Sequence, residues 1–446
     1  MSARSAAPLS ALVRARVRAR EDDVVAFTRE LVRVPSETHP PGGDEGPVQR
    51  LIAAKMEALG LAVDMFEPWS VQDVERHAGW WPGLDYADRP NVVGTWAGRE
   101  RGRTLILNGH VDVVPAGPRE CWSVDPYGGE LRDGAIWGRG AVDMKGGVAA
   151  MIMAVEILLD CGWEPAGSVI LESVVNEELG GYNGTLACCA KGYAGDAAIV
   201  LEPTGLHIAP ASKGGQVYEA VVRGQPAHSA FWWQGTSALD KALVLKDALG
   251  AWERLRAQEC ADVPFFGRDG DYPLPAYADT IWSLRAGDPE VMAHPETAEL
   301  LFWVDLLPGE AREAVLNRFE QFVYAHTAAD PWLAAHPVEL SQATMRPFVG
   351  NAIDPGHPIV GALSAAVEQV GLAPRLAGFP GACDAMIFNV HSSTPAVIFG
   401  PGDLALAHAP DERLQVEELL NAVEALALAI AGFCDAQRAA GEAQAA

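Results

Sequence analysis

The chain has no Cys-x-x-Cys pair, no apolar stretch long enough to cross a bilayer, no internal repeat, and far fewer basic than acidic residues. Each shortage excludes something. The seven cysteines are odd in number and scattered, a pattern that suits reduced thiols packed as small core residues in a cytoplasmic protein. Cys383, which precedes Asp384 in a Gly-rich loop, is read in the same way, as core or loop filler. Without a spanning segment the chain is expected to have no membrane partner. The first twenty residues are Arg-rich and acid-poor, a composition shared by transit peptides and surface helices, but they lack the apolar stretch of a secretory signal. The cytoplasm is the expected compartment. With 33 Lys and Arg against 59 Asp and Glu the formal charge is -26, so no basic face is available for phosphates and a nucleic-acid partner is excluded.

What is present is a long chain with ample core. Its 446 residues exceed one ordinary core, and 49% of them are hydrophobic, so two domains are expected. Amphipathic spacing predicts helices over about 8–34 and 45–60, separated by Pro35, Pro40, Pro41, Gly42 and Gly43. From about 90 to 205 strands alternate with helices, which predicts an α/β domain on a mainly parallel sheet covered on both faces. After Glu202 the order becomes β–α–β–β–α–β, the pattern of a small one-sided α+β domain inserted into the first. The α/β pattern resumes near Ile353. The expected division is a catalytic domain over 1–211 and 346–446, with an inserted domain over 212–345.

Five separated segments deliver metal-type ligands just past strand-like runs. They are Gly-His110-Val-Asp112, Gly-Ala-Val-Asp143-Met-Lys-Gly-Gly, Asn-Glu177-Glu178, Leu-Glu202-Pro-Thr and Ala-His408-Ala-Pro. Taken singly, His-x-Asp is an ordinary surface pair and Glu-Glu a solvated charge run. Their joint placement at successive strand ends, where open α/β sheets bind ligands, is the inventory of a two-metal hydrolytic site. Asp112 can reach the second ring nitrogen of His110 and fix its orientation. Asp143 has two oxygens with which to bridge two cations. Glu177 and Glu178 should point in different directions, one to metal and one to substrate.

These motifs resemble the acetylornithine deacetylase, succinyl-diaminopimelate desuccinylase, aminoacylase and glutamate carboxypeptidase family of di-zinc hydrolases, over nearly the whole chain. The resemblance implies a zinc-peptidase-like catalytic domain, with His110 and Glu202 on one metal and Glu178 and His408 on the other. It further implies Asp143 as the bridge, Glu177 as general base, a cis peptide after Asp143, and zinc as the metal, with cobalt or manganese able to substitute. The insert would be the lid and dimerisation domain of a homodimer. His228, in Gly-Gln-Pro-Ala-His228-Ser, would reach a partner's active site to stabilise the oxyanion.

The chain departs from that pattern where the family anchors a substrate carboxylate. Val291-Met-Ala-His294-Pro295 and Val304-Asp305-Leu306 stand in the expected anchoring segments, leaving Arg285 and Arg413 as candidates. Phe231-Trp232-Trp233 after His228 is unusually aromatic. The expected activity is removal of a small acetyl, formyl or succinyl group from a small-molecule amine or amino acid, hydrolysis of a C–N bond other than a peptide bond. A metallo-carboxypeptidase or dipeptidase, and a deaminating aminohydrolase, are the alternatives on the same metal site.

Overall fold

Arg20 breaks the first expected helix in two. In the computed structural model, which describes residues 8–99, 102–178, 183–266, 280–288, 290–343 and 348–436, helices Leu9–Ala19 and Glu21–Val32 meet at an Arg20 whose φ of -110° and ψ of 16° leave the helical region. Its guanidinium is held outside either helix by Asp160 at 2.6 Å, Glu156 at 2.7 Å, and Asp23. A hydrophobic stripe alone does not reveal such a break, because both helices keep the same buried face with Val13, Val17, Val24 and Leu31. The small residues Ala439 to Ala446, which the sequence leads one to expect as a frayed end, lie outside the described residues.

The described chain divides into two compact units: Met1–Pro210 with Ile353–Leu376 and Cys383–Ala446, and Ala211–Ala352 with Ala377–Ala382. The sheet of the first unit runs Ala62–Phe66, Asn91–Trp96, Val169–Val174, Leu105–His110, Ala197–Val200, Ala396–Ile398, Ile208–Ser212. The α/β class is as expected, but the sheet is mixed. Its middle is parallel, from Val169–Val174 through Leu105–His110 and Ala197–Val200 to Ala396–Ile398. The flanking pairs are antiparallel. Both faces are covered, as adjacent residues of one strand show. A Cβ at Gly109 would lie 3.0 Å from Val148 of helix Lys145–Asp160, whereas Asn108 donates to Thr185 of helix Asn183–Lys191 at 3.0 Å. Alternation along a strand sends these contacts to opposite sides.

Helix Lys145–Asp160 is buried nearly all round, wedged between the sheet, helix Glu21–Val32 and helix Val416–Cys434. It starts close to the sheet because Gly147 allows it: a Cβ there would lie 2.3 Å from the Leu201 carbonyl oxygen. That approach brings the loop bearing Asp143 against the strand end bearing Glu202.

The second unit is a four-stranded antiparallel sheet in the order Thr280–Ala286, Thr297–Leu306, Gly214–Arg223, Glu339–Gln342. Helices Ala238–Glu259 and Arg312–Thr327 pack on it around Trp252, Tyr218, Phe302 and Phe319. Trp282 and Leu284 of the strand at one edge are exposed.

Candidate metal centre

Five ligand-type side chains from five separate segments of the first unit converge. His110 closes its strand and is almost wholly buried. Its Nε2 lies 3.2 Å from Asp143 Oδ1, 3.7 Å from Glu202 Oε1 and 3.9 Å from Glu177 Oε2. His408 Nε2 lies 3.3 Å from Asp143 Oδ2 and 2.8 Å from Glu178 Oε2. Asp143 therefore turns one carboxylate oxygen toward each histidine. His110, Glu177 and Glu202 form one group whose ligand atoms lie within 4.8 Å of one another, and His110, Asp143 and Glu178 form another. The peptide from Asp143 to Met144 is cis.

Without a counter-cation this arrangement is costly. Burial pushes the Glu177 and Glu202 carboxyls well above the usual carboxylate range, reinforced by neighbouring carboxylates, and lifts Glu178 to about 7. Burial opposes protonation of His408, but its hydrogen bonds to Asp143 and Glu178 prevail and raise it to about 11. Burial likewise opposes charge on Asp143, yet the two imidazoles hold its carboxyl below the usual range. Among the described residues, His110 Nε2, Asp143 Oδ1 and Glu178 Oε1 are buried without a hydrogen-bond partner. Polar atoms buried in this way are rare unless they ligate something. A cluster of nitrogen and oxygen donors with orphaned atoms pointing inward fits two divalent cations.

The support beneath these ligands differs from the expectation at Asp112. His110 Nδ1 is 2.9 Å from the backbone carbonyl oxygen of Asp112, while the Asp112 carboxylate stands 3.6 Å away. That carboxylate accepts instead from the backbone N–H groups of Glu177 at 3.1 Å and Glu178 at 3.0 Å, and from the Thr38 hydroxyl at 2.9 Å. One residue thus orients His110 with its main chain and the Glu177–Glu178 turn with its side chain. Glu412 plays a matching part for Asp143. Its Oε1 accepts from the N–H groups of Val142 at 2.8 Å and Asp143 at 3.1 Å, and its Oε2 accepts from Arg139 at 2.6 Å. The sequence reading missed Glu412, although it lies four residues after His408.

Neither group of ligand atoms includes the other residues singled out in the sequence. Cys383 is fully buried and burial pushes its thiol well up, as suits a packed residue. Arg413 stacks its guanidinium 4.8 Å from the Trp137 ring centre and donates to the Asp411 carbonyl at 3.1 Å. Arg285 is exposed, opposite Glu299 in the second unit. Asp305 pairs with Lys213 at 2.7 Å and accepts from the Trp303 indole at 2.6 Å. His228 is exposed in the second unit, and its Nδ1 accepts from the Ala230 N–H at 3.1 Å. Beside it Phe231, Trp232 and Trp233 are all more than half exposed, and Trp233 meets each of the other two edge to face.

Fold and site together define a two-layer-covered α/β metallohydrolase, and comparison with known proteins agrees. Residues 106–432 match the model of peptidase family M20/M25/M40, and the chain belongs to that family. It is 28% identical over 441 residues to the N-formyl-4-amino-5-aminomethyl-2-methylpyrimidine deformylase of Bacillus subtilis (strain 168), covering 95% of this chain and 97% of the relative. A succinyl-diaminopimelate desuccinylase of Cereibacter sphaeroides is 28% identical over 414 residues, covering 89% and 95%. Among solved structures, an M20 family metallo-carboxypeptidase from Sulfolobus solfataricus superposes with a TM-score of 0.69 at 18% identity, covering 92% and 99%.

Proposed function

We propose that the chain is a two-metal amidohydrolase that removes a small N-acyl group, formyl, acetyl or succinyl, from an amine or amino acid. The observation that carries this reading is the placement of Asp143 between two histidine–carboxylate groups, with Glu177 beside them. The deformylase and desuccinylase relatives support the N-acyl class of substrate. His110 and Glu202 would hold one cation, Glu178 and His408 the other, and Asp143 both. Zinc suits this nitrogen and oxygen donor set, with cobalt or manganese as substitutes. Cations held there would supply an acidified water and polarise the scissile carbonyl.

The chain's own groups do the rest. Glu177, its side chain only 11% exposed, takes the proton of the attacking water and delivers it to the leaving nitrogen. The hydrogen bond that His228 Nδ1 accepts from Ala230 leaves its ring proton on Nε2, pointing a donor away from its own loop. Such a donor suits a developing oxyanion, and we assign that role to His228, supplied across a homodimer formed through the second unit as a lid. The seven unpaired thiols favour the reducing cytoplasm. Among the described residues no helix is long and apolar enough to cross a membrane.

The test is turnover by metal-loaded protein of N-formyl, N-acetyl and N-succinyl amines alongside dipeptides and aminated heterocycles. Hydrolysis of the N-acyl amines is expected. Turnover confined to peptides, or to release of ammonia from the heterocycles, would replace the deacylase with the corresponding alternative.

A further inference from the structure

The segment leading into Glu177 and Glu178 is hydrogen-bonded to a residue far away in sequence. Between the strand end at Val174 and Glu177 the chain passes through Asn176, a non-glycine residue in the left-handed region with φ of 65°. Asn tolerates that region better than most side chains. Here its side chain is also tied: Asn176 Oδ1 accepts from the Tyr86 hydroxyl at 2.6 Å, and both residues are buried. Tyr86 is itself fixed, with the Arg89 guanidinium 5.3 Å from its ring centre. Arg89 forms a wholly buried ion pair with Glu45 and donates to the Asp85 carbonyl at 2.7 Å. Trp69 and Trp80 pack against the Tyr86 ring, 5.9 and 5.8 Å away between centres.

We infer that Tyr86 is a positioning residue for hydrolysis: through Asn176 it holds the left-handed turn that sends Glu177 and Glu178 in different directions. Asp112 grips the two backbone N–H groups of that turn from one side, and the Tyr86 hydroxyl locks its first residue from the other. Neither support touches a reacting atom. Together they hold a base and a ligand on adjacent residues, where one rotated peptide would exchange their directions. Positioning supports of this kind commonly alter metal affinity or activity by about 10–100-fold when removed.

The inference rests on the deacylase reading only for its kinetic measurement. Tyr86→Phe removes the hydroxyl and leaves the ring packed; Asn176→Gly removes the acceptor and keeps the left-handed conformation accessible. In each variant we expect kcat to fall about tenfold with KM within about twofold of the parent, as lost orientation of a base requires. The visible absorption bands of the cobalt-loaded protein should shift as well, because Glu178 would be displaced as a ligand. A change in KM alone, an unshifted cobalt spectrum, or kcat within about twofold of the parent would each overturn the inference. If the parent protein hydrolyses no N-acyl amine, the deacylase reading fails by itself, and the cobalt spectrum still decides the role of Tyr86.

Discussion

The two units present their candidate functional histidines in opposite ways. His110 lies at the end of a buried central strand, with its ring nitrogens facing the Asp112 carbonyl on one side and three carboxylates on the other. His228 lies on an exposed turn, and its Nδ1 accepts from the N–H of Ala230 in its own loop. Buried polar groups need every partner in place, so the first site is preorganised by layers of support from Asp112, Glu412, Thr38 and Tyr86. The second has an imidazole held in one tautomer beside three exposed aromatic rings. One imidazole faces polar neighbours at both of its nitrogens, and the other is exposed.

Removing the cations should break this contrast most completely. Chelation is expected to abolish turnover, and zinc, cobalt or manganese to restore it; activity surviving exhaustive chelation would remove the two-metal account. Next in size is His228→Ala, expected to lower kcat by about 10²–10³ while metal content stays at the parent level. Mixing that variant with Glu177→Ala should recover part of the activity if His228 serves a neighbouring protomer, and no recovery would place it within one chain. Glu412→Gln keeps the shape of the side chain but weakens its hold on the Asp143 loop. It should cost about 10–100-fold in metal affinity or activity, measured by cobalt titration and by kcat.

The smallest effect concerns stability. Burial pushes the Glu172 carboxyl up to about 8, with a contribution from Asp384. An unfolded glutamate loses its proton near pH 4.3, so between roughly pH 4.3 and 8 the folded state binds the extra proton. Stability therefore falls as pH rises across that window. Glu172→Gln should flatten this dependence in denaturant titrations of the metal-loaded protein, and an unchanged slope would show that Glu172 ionises normally.

The candidate metal ligands were legible in the sequence because each is a chemically distinctive residue, and His110 and Glu202 also close or follow a strand. His110, Asp143, Glu178, Glu202 and His408 all fall in one cluster with Glu177. The supports were less legible, for a physical reason. Glu412 works through backbone N–H groups, and Tyr86 works through Asn176, so neither residue type announces its role. The Asp112 side chain was expected on His110 and instead bonds the Glu177 and Glu178 amides, while its carbonyl oxygen meets the ring. The parallel core of the sheet followed from its apolar runs, whereas the antiparallel flanks depend on long-range pairing that local pattern does not encode. Arg20 shows the same limit, since it interrupts a helix through ion pairs with residues 136 and 140 positions away.

Glu177 can serve as the base only if it stays off the cations that its neighbours would hold. The most direct test is the metal content of purified Glu177→Ala measured together with its kcat on an N-formyl amine. Two cations per chain with turnover reduced by about 10²–10⁴ is the expected result. Loss of a cation would make Glu177 a ligand, and a kcat near that of the parent would mean that it is not the base.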